Sequence, residues 1–182
     1  MVTTSSDPHL GAIRLAWWRE RLEEFDEGKS APPEPRLQAV EQQLLPRGVS
    51  GAQLSRLEDA WLPLLEPFPW DEPQVDGLKL RGRILFGTGA ELLGGAAREA
   101  EDAGAFWSLV DGAQHCSDAS SRAVLLSAAK RVRLDDKIPP GLRPLSVLAA
   151  LAAADLRRRG NAFARGLAAL RHRVTGRFPP VG

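Results

Sequence analysis

Cysteine occurs once, at Cys116, so no internal disulfide can form and the chain fits a reducing compartment. That residue falls in a stretch that reads as helical, with no paired His and Asp constellation, which makes it a structural thiol rather than a nucleophile. Long apolar runs are missing too. None approaches the ~18 uninterrupted residues of a membrane-spanning helix, and Pro144–Leu156, the most apolar stretch, is short, Ala-rich and reads as a buried helix. Met1–Pro8 has no basic segment leading into an apolar one, so no secretory signal is visible. The expected location is cytoplasmic, with peripheral contact at a membrane face. An excess of one charge is absent as well: the net value is +1, so bulk electrostatics point to no nucleic acid. The charge is unevenly placed, however. Residues 155–182 hold seven Arg against one acid, Asp155, a surplus of +6 that leaves the rest of the chain at −5. That basic C-terminus invites an anionic partner, a membrane surface or an acidic protein.

What is present is helical. The 182 residues are 43% hydrophobic and 26% charged, enough for one packed domain spanning 1–182 and too apolar for disorder. Apolar residues recur at the helical period almost everywhere, with no convincing strand and no internal repeat. Leu10, Ile13, Trp17, Leu22 and Phe25 form one apolar face of a helix over about 8–27, ended by Gly28 and the Ala31-Pro32-Pro33 run. Pro35 opens a second helix that stops near Pro46-Arg47-Gly48. Ser50 followed by Gln53 has the capping-box spacing and starts a third, which Pro63 kinks or shortens. A Pro-rich link over 66–73 packs Phe68 and Trp70 on the body. Further helices are predicted over 74–93, 96–116, 119–131, 144–159 and 161–175, with a loop at 132–143. The first of these carries Gly77, Gly82, Gly87 and Gly89, which weaken a helix and mark close helix contact or room for a bound molecule. The fold class is all-α, a bundle-like or orthogonal packing of seven or eight helices.

The most specific string is Ile13-Arg-Leu-Ala-Trp-Trp-Arg-Glu20, preceded by Pro8-His-Leu-Gly11. It resembles the squalene/phytoene synthase family, whose members carry an arginine-leucine-x-tryptophan-tryptophan-arginine run on a helix. Supporting likeness follows in order along the whole chain: the Gly-rich segment Leu80–Leu93, Gly104-Ala-Phe-Trp107, Leu142–Leu148 and Leu170–Gly176. The resemblance implies an isoprenoid-synthase-like helical bundle around a deep apolar cavity, and enzymes that join two prenyl diphosphates head to head. It also implies additional helices ahead of the tryptophan pair, so this chain is expected to be incomplete at its N-terminus. An apolar face left uncovered there would be buried by a protein partner or by self-association.

That chemistry needs magnesium bridging diphosphate oxygens, held by carboxylates on one helical face, in this family two Asp four residues apart on each of two helices. No two Asp here are four apart. Glu20/Glu24 and Glu23/Glu27 have helical spacing but read as a solvated charged face. Glu72/Asp76 straddle Pro73 at a helix start, where acids suit the dipole, and Asp135-Asp136 are adjacent in a loop. In the region of the family's second aspartate motif, Asp111 and Asp118 stand seven apart, two helical turns, too far for one metal cluster. His115 and His172 lack metal-ligand spacing, and Gly87-Thr-Gly89 lacks the rest of a phosphate loop. No catalytic or metal residue is therefore assigned and no cofactor is expected. Arg14 and Arg19 are candidate diphosphate ligands, and Trp17 and Trp18 candidate walls for a prenyl chain. The expected function is a non-catalytic, pseudoenzyme-like family member with an assembly, scaffold or lipid-binding role and an isoprenoid or lipid ligand. The alternative is a prenyltransferase of isoprenoid biosynthesis, truncated in this chain, which would need Mg2+.

Overall fold

The computed structural model describes residues 7–135, 137–157 and 162–179, and the chain divides into two compact units, Met1–Pro67 and Phe68–Gly182. Among the described residues the regular structure is all helix.

In the first unit, α1 (Pro8–Asp26) starts where the Asp7 carboxylate accepts the His9 amide at 2.9 Å and Pro8 occupies the first turn. Gly28, at φ 80, takes the left-handed conformation that closes the helix without a Cβ penalty. Glu34 caps α2 (Pro35–Gln43) by accepting from the Arg36 and Leu37 amides. A 3-10 turn, Leu45–Arg47, leads to α3 (Gly51–Ser55) and α4 (Leu57–Trp61). Ser50 accepts the Gln53 amide as its spacing predicts, while the Gly51 and Ala52 amides go to the Asp26 carboxylate at the end of α1. The expected single third helix is interrupted at Arg56, and Pro63 falls in a 3-10 turn, Leu62–Leu65.

The apolar face read for α1 is corrected. Leu22 and Phe25 are buried with Leu37, and Trp18, Val40, Leu45 and Leu54 pack around them. Leu10, Ile13 and Trp17 are exposed. At about 100° per residue, Gly11, Trp18, Leu22 and Phe25 share the inner side, and Leu10, Ile13 and Trp17 lie roughly a third of a turn away. The helix therefore carries two apolar stripes, one buried and one exposed.

In the second unit, α5 (Glu72–Leu92) and α6 (Arg98–His115) form the most extensive helix pair. They meet backbone to backbone. A Cβ built on Gly82 would overlap the Gly104 carbonyl oxygen, and one on Gly104 would overlap that of Gly82. Of the two roles open to these glycines, close helix contact applies at Gly82. Packed against α6 are α7 (Ala119–Arg131) and α8 (Arg143–Arg157), whose Ala149, Ala150, Ala152 and Ala153 are buried. α9 (Ala162–Thr175) returns along α8. Trp70 is half-buried and its amide donates to the Ser121 hydroxyl at 2.7 Å. Phe68 is exposed, contrary to expectation, its ring tilted against that of Trp70 with centroids 4.8 Å apart. No helix among the described residues is long and apolar enough to cross a membrane.

Candidate functional site

The sequence-predicted site residues all lie on α1, and they do not converge. Arg14 and Trp17 are exposed, and Trp18 joins the core of its unit with its ring edge-on to Trp17 at 5.4 Å. Arg19 forms an ion pair with the nearly buried Glu58 carboxylate, Nε to Oε2 3.2 Å. Five residues apart, Arg14 and Arg19 are turned from each other by roughly 140°. Glu24, expected to be solvated surface charge, is paired with Arg21 and Lys29.

A different set of side chains converges in the second unit, where α6, α7, α8 and α9 border two adjoining clefts. The first, about 140 Å³, is lined by Trp107, Asp111, Leu148, Leu151, Asp155 and Arg165. The second, about 270 Å³, is bordered by Ala113, Arg122, Leu126 and Leu156. Val110, Gln114 and Asp155 are common to both. Such volumes sit at or below the lower edge of the ~300–1,000 Å³ of drug-sized ligand sites.

Polar order in the first cleft begins with Arg81, an α5 residue only 8% exposed. Its Nε donates to Ser108 Oγ at 2.9 Å and its Nη2 to Asp111 Oδ2 at 2.7 Å, while the guanidinium lies 5.3 Å over the Trp107 ring. Trp107 stacks in turn on Phe86. His115 Nδ1 lies 2.8 Å from the Asp111 carbonyl oxygen and 3.5 Å from its carboxylate. On the facing helix Asp155 accepts from Gln114 Nε2 at 3.1 Å and from the Arg165 guanidinium. Both cleft carboxylates are thus charge-neutralised by Arg at contact distance.

Asp111 and Asp118 are not two turns of one helix. α6 ends at His115, and Asp118 is the N-cap of α7, accepting from the Ser121 amide and from the Ser120 and Ser121 hydroxyls. Those serine bonds lower its pKa to about 2. Among the described residues no three His, Cys, Asp or Glu side chains cluster as a metal site would. Asp136 of the Asp135-Asp136 pair lies outside the described residues, as do Arg158 and Arg159.

Sequence reading missed Arg81, Trp107, Gln114 and Arg165. Two signals were available. Arg81 stands three residues after the apolar Leu78, on the buried side of its helix, and Asp155 is the lone acid of an arginine-rich segment. Comparison with family models, curated proteins and solved structures yields no match to this chain.

Proposed function

We propose that the chain is a non-catalytic relative of the squalene/phytoene synthases, a helical module with an assembly, scaffold or lipid-binding role. The family part of this reading is supported by the Arg-Leu-Ala-Trp-Trp-Arg run at 14–19. The non-catalytic part is carried by one observation: Asp111 and Asp155 are each held by a guanidinium, Arg81 and Arg165. Expelling diphosphate demands acids that can gather divalent cations, and an acid locked to Arg gains little by exchanging that partner for a hydrated metal. What remains is a small, partly apolar cleft whose Trp107 wall is backed by the buried Phe86 and Arg81, suited to holding an apolar group rather than transforming it.

The test is incubation of the protein with farnesyl and geranylgeranyl diphosphates and magnesium, followed by extraction and chromatography. No C30 or C40 hydrocarbon is expected above a heat-treated control. Any such product, lost in an Asp111→Asn variant, would reverse the reading and make the chain a prenyltransferase. Native mass spectrometry of the protein purified from cells tests the binding role directly, through a retained isoprenoid or other lipid.

A further inference from the structure

α9 has two unlike sides. Its inner side is tied to α8. His172, fully buried, lies with Nε2 2.8 Å from Ser146 Oγ and donates from Nδ1 to the Arg177 carbonyl at 3.1 Å. Arg143 donates to the carbonyls of Arg173 and Val174, satisfying acceptors left open at the helix end. Arg165 is committed to Asp155. The outer side is apolar and exposed: Phe163 is 78% exposed, Leu167 56%, Leu170 60% and Val174 68%. Their spacing of four, three and four keeps them in one stripe about 60° wide along a helix of about 21 Å.

Charge decides what this stripe meets. Residues 162–179 contain Arg165, Arg171, Arg173 and Arg177 and no acid. At about 100° per residue, Arg171 and Arg173 fall roughly 70–90° to either side of the stripe's centre, and both are exposed, as is Arg177 just beyond the helix. An apolar stripe with cations on both flanks matches a plane that is apolar within and negative at its surface. Arg stems can lie along the hydrocarbon boundary while their guanidiniums stay at phosphate level.

We infer that α9 is an interfacial helix that docks the protein on an anionic bilayer. Phe163, Leu167, Leu170 and Val174 enter the acyl boundary, and Arg171, Arg173 and Arg177 contact the headgroups. The His172–Ser146 and Arg143 bonds hold the helix so that this side faces outward. Such docking stands whether or not the chain is a synthase relative.

The test is co-sedimentation of the full chain with vesicles of phosphatidylcholine alone or mixed with phosphatidylglycerol, at low and high salt. Binding to the mixed vesicles that weakens with salt is expected, with far less on neutral ones. Leu167→Asp should lower the partition coefficient at least about tenfold, and Arg171→Gln and Arg173→Gln about fivefold each. Phe163→Ser, at the most exposed position, is a second apolar variant, and far-UV circular dichroism checks that each variant keeps its helix. Equal partitioning of wild type and both apolar variants would overturn the inference, as would equal binding to neutral and anionic vesicles. So would absence of vesicle binding together with a dimer that Leu167→Asp dissolves, which would give the stripe to a second copy.

Discussion

The α5–α6 pair and the α8–α9 pair solve helix association in opposite ways. α5 and α6 touch through Gly82 and Gly104 with their backbones in contact, and buried Phe86, Phe106 and Leu109 seal the crossing. α8 and α9 are joined by side chains that bond carbonyls and one another: Arg143, Ser146 with His172, and Asp155 with Arg165. The first arrangement tolerates no added atom. In the second, α9 presents the exposed Phe163, Leu167 and Leu170 on its outer side. A helix held from one side by directional bonds can carry an apolar surface outward without losing its place; one held by close packing has no surface to spare.

One substitution type, made in both pairs, gives the largest contrast. Gly104→Ala sets a methyl against the Gly82 carbonyl oxygen and 2.7 Å from Phe86 Cβ, so α5 and α6 must separate. It should destabilise by about 3 kcal/mol or more, read as a lower urea midpoint. Gly166→Ala in α9 meets nothing within 4 Å and should stabilise by up to about 1 kcal/mol through helix propensity. Equal effects of the two would erase the distinction.

Next in size is the polar clamp across α5 and α6. Asp111→Ala leaves the nearly buried Arg81 with Ser108 but without its counter-charge. Because Asp111 keeps some solvent contact, the loss should be about 2 kcal/mol, under the ~3–5 kcal/mol of a fully buried pair. Arg81→Met combined with Asp111→Leu should recover most of it in the same unfolding assay. A double variant no better than Asp111→Ala would show that the ion pair itself, rather than avoidance of a lone charge, stabilises the crossing.

Local chemistry made the helices readable and left the faces and the cleft hidden. Residues 119–131 were predicted as a helix, and Ala119–Arg131 is one, because Asp118 and the serines after it form a cap whose bonds lie within three residues. Pro8, Pro35 and Gly28 act as locally. By contrast, whether Leu10 or Gly11 of α1 faces inward depends on Leu65, against which Gly11 packs, and no period within 8–27 contains that. The break at Arg56 was equally invisible, since the Asp26 carboxylate that holds the start of α3 comes from 25 residues earlier. For the cleft, Arg81 meets Asp111 and Asp155 meets Gln114 across 30 and 41 residues. Charge pattern could hint that Asp155 needed an arginine. It could not say that Arg165 would supply one.

The smallest expected effect lies in the α8–α9 bonds and depends on pH. His172 is held below its ordinary pKa of 6.5, first by burial, which penalises the imidazolium, and then by the nearby charge of Arg143; the bond to the Arg177 carbonyl works the other way. With the folded value depressed, the unfolded chain takes up the proton first as the solution acidifies. The contribution is therefore complete above the unfolded pKa and is lost as pH falls through and below it toward the folded value. The urea midpoint of the wild type should drop between about pH 7 and pH 5, with the imidazole as the titrating group. His172→Gln should cost about 1 kcal/mol at neutral pH through the altered bonds to Ser146 and Arg177, yet show a flatter profile across that interval. If the variant keeps the full wild-type slope, another group titrates there, and His172 is not the source of the pH dependence.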